Sequence, residues 1–138
     1  MPKHVLKDVK VTVNAVDLSD HISSVEVMLS KDEVETTAFA GNGGRERIQG
    51  LEDDSFTLNF QQDFGTAEVD ATLYPLFQSG SPFAVVVTPS TAAVSATNPS
   101  YSGTCVLFEY QPLAGAIGDL SETSVTLPVN GIIERATA

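Results

Sequence analysis

The sequence predicts a mainly β protein, a two-layer sandwich or flattened barrel with one short helix and a long extended arm. Three observations lead there. Apolar and polar residues alternate over segment after segment, the period of strands with one buried face. One stretch near mid-chain switches to a helical period, and residues 30–54 follow neither pattern. The 138 residues fit a single domain spanning 1–138. A chain of that size buries roughly 68% of its unfolded surface, enough for a core without staples. With 42% hydrophobic and 18% charged residues the composition is globular and not that of a disordered chain.

Val9, Val11 and Val13 alternate with Lys10 and Thr12 and describe the first strand. Turn residues from Asn14 to Asp20 lead to a second, with Val25, Val27 and Leu29 on one face and Glu26 and Met28 on the other. Ser55 to Gln61 has the cleanest alternation, Phe56, Leu58 and Phe60 against Ser55, Thr57, Asn59 and Gln61. Over residues 66–79 the period changes. Val69, Leu73, Leu76 and Phe77 form a helical stripe, with Thr66 as N-cap, Glu68 and Asp70 near the positive end of the dipole, and Gly80 as the stop. Pro75 has no N–H to donate and clashes with the preceding turn, so it either kinks this helix or splits it in two.

Phe83 to Thr88 is a continuous apolar and β-branched run, the pattern of a strand covered on both faces. Small polar residues with two prolines from Pro89 to Ser100 predict an exposed loop. Tyr101 to Gln111 reads as a long strand with Val106, Phe108 and Tyr110 on one side. After a turn region from Pro112 to Gly118, Ser124 to Val129 gives a strand with Val125, Leu127 and Val129 inward. Gly131 to Ala138 adds a short edge strand. Six or seven strands and one helix make a sandwich whose helix covers an open end or edge.

Eighteen acids against seven bases leave a net charge of −11. That balance argues against duplex binding, which draws its affinity from Lys and Arg neutralising phosphates. Cys105, the single cysteine, lies in an apolar-rich run and reads as a small core hydrophobe. Neither a signal-length apolar stretch at the N-terminus nor a run of 18 apolar residues is present, so the expectation is a chain made in the cytosol with no membrane partner.

Catalytic chemistry finds few residues. His4 and His21 lie far apart. Asp20-His21 with a serine would need a nucleophile elbow such as G-x-S-x-G, which is missing, so the pair reads as a surface turn. Gly41-Asn42-Gly43-Gly44 before Arg45 lacks the following helix and the Lys-Ser/Thr pair of a phosphate cradle, and reads as a flexible tip or tight turn. Glu52, Asp53 and Asp54 match no EF-hand spacing and read as a solvated turn, a weak calcium site being the alternative. No enzyme activity, cofactor or metal is expected.

Residues 30–54 carry the strongest functional signal. A compact domain seldom tolerates a structureless connection beyond about 12–15 residues unless it binds something. The segment therefore reads as an arm that docks on a neighbouring subunit, with Glu35, Phe39, Arg45, Arg47, Ile48 and Leu51 as its contact residues. Arg45 and Arg47 are two of the three arginines in the chain. Alternating on a short strand from Arg45 to Gln49, they suit carboxylates on an adjoining copy.

The order of features resembles the tail tube, or major tail, proteins of long non-contractile-tailed bacteriophages. The resemblance rests on V-x-V-N-x-V-D-L-S-D-H-I-S at 11–23, E-T-T-A-F-A-G-N-G-G-R-E-R-I-Q-G-L at 35–51 and D-S-F-T-L-N-F-Q-Q-D at 54–63. It continues through the helix, N-P-S-Y-S-G at 98–103 and S-V-T-L-P-V-N-G-I-I-E-R at 124–135, covering nearly the whole chain. Similar domains occur in contractile phage tubes and secretion-system tubes. The resemblance implies a sandwich protomer that closes into hexameric rings, stacked into a hollow tube that conducts the genome, with residues 30–54 as the arm between subunits. It implies a virion protein synthesised in the host cytoplasm. Its partners would be itself, a tape measure protein that sets length, a tail terminator, distal tail or baseplate proteins, and double-stranded DNA passing without tight binding. Glu26 and Glu109, on polar strand faces, are the expected lumen-facing acids. Other classes that suit the sequence are a β-sandwich binding or adhesion module, a capsid decoration protein and a tail terminator.

Overall fold

Alternating burial along the chain sorts the strands into two packed sheets and a separate hairpin. The computed structural model describes every residue except Met1, Pro2, His4, Ala40 to Asn42 and Ala138. His4 and the Gly41-Asn42 half of the glycine run thus lie outside the described residues. β1 (Lys10–Val13) turns through Asn14 and Ala15, both at positive φ, into the two-residue β2 (Val16–Asp17). Left-handed backbone at both central positions matches the twist of tightly connected strands. A 3-10 turn at Ser19–His21 leads into β3 (Ile22–Met28). Then come β4 (Lys31–Glu35), β5 (Arg47–Glu52), β6 (Ser55–Gln61), helix α1 (Val69–Ser79), β7 (Phe83–Thr88), β8 (Ser100–Cys105), β9 (Glu122–Pro128) and β10 (Glu134–Ala136).

The larger sheet has the order β10-β8-β7-β1-β2, the smaller β3-β6-β9, and β4 pairs with β5 alone. Every pairing is antiparallel. Val11, Val13, Val85 and Val87 of the larger sheet pack in one core with Phe56, Leu58, Phe60, Val125 and Leu127 of the smaller. The architecture is therefore an open two-layer sandwich. Its sheets touch at one edge through a single bridge between Cys105 and Val129, and the flattened-barrel alternative is not realised. Among the described residues there are ten strands, more than the six or seven expected, because β2 is short and the arm itself forms two.

Helix α1 buries Val69, Thr72, Leu73 and Leu76 against this core and stays one element through Pro75. Pro75 and Ala71, whose carbonyl loses its partner, both lie on the exposed side, where water serves instead. The N-cap is Glu68 and not Thr66. Ala67, at φ 60°, turns the chain out of a helical path between them. Gly80 ends the helix in the left-handed conformation, its N–H on the Leu76 carbonyl.

Four expected faces are corrected. Phe77 and Leu29 are exposed and leave the stripes assigned to them. β7 buries Phe83, Val85 and Val87 but exposes Ala84, so its apolar run covers one face and part of the other. The strand expected over Tyr101 to Gln111 stops at Cys105, and the inward side chains there are Cys105 and Leu107, with Phe108 pointing out. Only a buried neighbour distinguishes the two alternating sets, and both sets are apolar. Cys105 is fully buried, and burial pushes its thiol up to about 12, so it is inert at neutral pH.

Candidate assembly surface

The arm is a β-hairpin that contributes nothing to the core. β4 and β5 pair at Glu35 with Arg47, Val34 with Ile48, Glu33 with Gln49 and Lys31 with Glu52. Beyond the strands the Thr36 N–H donates to the Glu46 carbonyl at 2.8 Å, and the Glu46 N–H to Thr37 Oγ1 at 2.9 Å. A register irregularity between Lys31 and Glu33 brings the chains close at Gly50. A Cβ there would lie 2.9 Å from Val34 Cγ2, so only glycine fits without a shift.

One face of the hairpin is charged. Arg47 pairs with Glu33, Arg45 Nε lies 4.0 Å from Glu35 Oε1, and Lys31 Nζ is 3.9 Å from Glu52 Oε1. Within one chain, then, the carboxylates facing the two arginines belong to the adjacent strand. The other face carries the directly paired Val34 and Ile48, 43% and 58% exposed, with Leu51 80% exposed nearby and Phe39 fully exposed toward the tip. An isolated two-stranded hairpin is marginal in water, and apolar pairs on it gain stability when a second surface covers them.

The root of the hairpin is built quite differently from the solvated turn expected at Glu52 to Asp54. Asp54 is completely buried. Its Oδ1 accepts the Ser30 N–H at 3.1 Å, and its Oδ2 accepts the Ile133 N–H at 2.8 Å. Its carbonyl accepts the Val129 N–H at 2.9 Å, while the Asp53 N–H reaches the Ser30 carbonyl at 2.7 Å. One carboxylate thus clamps both legs of the arm to the segment between β9 and β10. Burial works to raise the Asp54 pKa, but hydrogen bonds from Glu52, Ile133 and Ser30 outweigh it, and the net shift is downward. Glu52, hydrogen-bonded to Asp54, is held above its ordinary range. The clamp joins residues 79 apart, which local pattern does not reveal.

The outer face of the smaller sheet is polar. Glu26 on β3 is aligned through Thr57 of β6 with Thr126 of β9, and Ser24 through Asn59 with Ser124. Glu109, after β8, lines a groove with Ser124 and Thr126 at the far edge of this face. The two acids expected to line a lumen therefore flank one hydroxyl-rich surface. Of the tyrosines, Tyr110 donates to Asp70 Oδ1 at 2.7 Å, and burial pushes it up to about 12. Tyr101 is half-buried against the core.

His21 is less bland than a surface turn. Its ring is mostly covered and faces Asp20, Asp63 and Glu68 at once. The hydrogen bond to Asp63 leads the effects that raise its pKa, over a smaller opposing effect of burial. Asp63 and Glu68 lie 42 and 47 positions away in sequence, so the grouping exists only in the fold. No helix among the described residues is long and apolar enough to cross a membrane.

No protein-family model matches the chain, and no curated protein matches its sequence. Solved structures match its fold. A chain from the virion of the native gene transfer agent particle superposes with a TM-score of 0.79, over 97% of this chain and 99% of that one, at 12% identity. A chain of the SPP1 tail tube gives 0.78 over 99% and 80%, at 15% identity. A chain from the tail of the empty gene transfer agent particle, refined with C6 symmetry, gives 0.70 over 86% and 83%, also at 15% identity. The fold of this chain is that of tail and tail tube chains of phage-like particles.

Proposed function

We propose that this chain is the structural subunit of a phage-type tail tube, a virion protein that forms hexameric rings stacked into a hollow conduit for double-stranded DNA. The observation that carries the reading is the hairpin. It is anchored by a buried carboxylate, adds nothing to its own core, and offers an apolar strip formed by Val34 and Ile48. An arm of this kind gains its partner on a neighbouring copy. A contact between unlike surfaces, repeated around and along an axis, builds rings and filaments. Contact residues on this reading are Glu35, Phe39, Arg45, Arg47, Ile48 and Leu51, and the role is structural and not enzymatic. A tape measure protein, a tail terminator and distal tail or baseplate proteins complete the set of partners.

Negative-stain electron microscopy of the concentrated protein tests this, beside a sizing run at low concentration. Six-membered rings or hollow tubes are the expected result. A chain that stays monomeric at every concentration, with neither rings nor tubes on the grid, would overturn the reading in favour of a binding module.

The polar face bearing Glu26 and Glu109 is assigned to the lumen. Six copies of a −11 subunit carry −66 per ring, and the inward share of that charge repels phosphates. Screening limits the field to about 8–10 Å from the wall at ordinary ionic strength. Neutralising both acids, Glu26→Gln with Glu109→Gln, should leave tubes intact and slow DNA delivery, read as the rate of genome release in single-particle fluorescence. Unchanged release kinetics would remove these acids from the lumen.

A further inference from the structure

We propose that His21, Asp63 and Glu68 form a binding site for one first-row divalent cation of the Zn2+ type, with a water completing the shell. The three side chains come from different segments. His21 closes the 3-10 turn before β3, Asp63 follows β6, and Glu68 caps α1. Their ligand atoms all lie within 4.8 Å of one another, and among the described residues no other such group occurs. Nε2 of His21 is 2.9 Å from Asp63 Oδ2 and 3.3 Å from Glu68 Oε2. Bonds of about 2.0–2.1 Å in tetrahedral geometry place neighbouring ligand atoms about 3.3 Å apart. The Glu68 spacing already matches this, and the Asp63 spacing has to open by a few tenths of an ångström.

The other ring nitrogen determines what this arrangement needs. Nδ1 is 2.8 Å from Asp20 Oδ1, and when its N–H donates there, the Nε2 lone pair points at two carboxylate oxygens. Such a contact is repulsive unless a cation sits at Nε2. A carboxylate on the second nitrogen is also the arrangement that orients metal-bound histidines and raises their basicity. A proton meets the need as an imidazolium, but a proton on Nε2 has one good acceptor, whereas a divalent ion engages both carboxylates together.

The ligands are held before any ion arrives. Asp63 Oδ1 accepts the Gly65 N–H at 2.8 Å, which leaves Oδ2 facing His21, and the Asp63 carbonyl accepts the Asp70 N–H at 3.1 Å. The Glu68 carbonyl accepts from Thr72 through its N–H at 3.1 Å and its Oγ1 at 2.8 Å. His21 is tied by its own N–H to the Leu18 carbonyl at 3.0 Å. Side-chain exposures of 16% for His21, 39% for Asp63 and 37% for Glu68 leave one open side for an ion and its water. A bound cation would tie the turn before β3 to the start of α1, a cross-link of the body that is independent of the arm.

Calorimetric titration of tag-free, chelator-stripped full chain with ZnCl2 at neutral pH tests the site, followed by the visible spectrum with Co2+. The expected result is saturation at one equivalent and ligand-field bands of a low-coordinate site. Glu68→Gln keeps the size of the cap residue and the His21 to Asp63 contact but should weaken Zn2+ binding by at least about tenfold. His21→Gln should abolish it. Should His21→Gln fail to fold, Zn2+-induced shifts of the His21 ring resonances in the wild type provide the second reading. No saturable binding, or equal binding by wild type and Glu68→Gln, would overturn the site and leave an imidazolium between carboxylates.

Discussion

Joining Ser30 directly to Asp53 through an Asn-Gly turn, in place of residues 31–52, should yield a folded monomer that no longer makes tubes. The splice is geometrically mild, because the Asp53 N–H already donates to the Ser30 carbonyl at 2.7 Å and an Asn-Gly pair suits a two-residue connection. No residue between 31 and 52 belongs to the hydrophobic core, so the thermal midpoint should move little. Assembly should be lost, because the deleted strands carry the exposed Val34, Ile48 and Leu51. A finer variant, Val34→Ser with Ile48→Ser, keeps the hairpin but removes its apolar strip. Wholly burying each of these side chains at an interface contributes about 1.5–3 kcal/mol. Their joint loss should weaken each subunit contact by about a hundredfold or more. Turbidity and sedimentation across a concentration series measure this as the critical concentration. Tubes that form normally without the hairpin would show that another surface holds the subunits together.

Asp54→Asn should be the most damaging single isosteric change. Both carboxylate oxygens accept backbone N–H groups in a fully buried place, and an amide offers one oxygen and turns an NH2 group on the other donor. A lost charge-assisted hydrogen bond with a stranded buried donor costs about 2–3 kcal/mol. For a domain of this length that lowers the melting point by about 10 °C. The clamp should also fail in acid. The folded-state pKa of Asp54 is depressed, so its contribution is complete above the ordinary aspartate value and is lost as pH falls through the folded value. Glu52, with a raised pKa, works in the opposite sense: its protonated form is favoured in the fold, and that contribution fades as pH rises through its folded value. Thermal melts between neutral and acid pH should therefore show a steeper acid loss in wild type than in Asp54→Asn. Hydrogen exchange should show Ser30 and Ile133 deprotected in the variant. A melting point within a degree or two of wild type would remove the clamp.

Much of the sandwich is legible in the order of residues. Phe56, Leu58 and Phe60 point inward, as do Val125, Leu127 and Val129, because a period of two forces alternate side chains to opposite faces and only one set is apolar. The same rule fails from Val106 to Phe108, where both sets are apolar and the packing of Leu107 selects the face. Helix α1 is visible from its stripe. Its first residue is not, since the left-handed Ala67 is no feature of propensity.

Local periodicity and composition were sufficient for the β class, the helix, the core strands and the segment 30–54 as something a core does not need. Each of these depends on residues near one another in the chain. The hairpin register, Asp54 as a buried clamp, and the meeting of His21 with Asp63 and Glu68 depend on contacts made at long range. Adjacent acids read alike as solvated when nothing nearby distinguishes them. Burial and two facing N–H groups make Asp54 the structural one and leave its neighbour Asp53 in water.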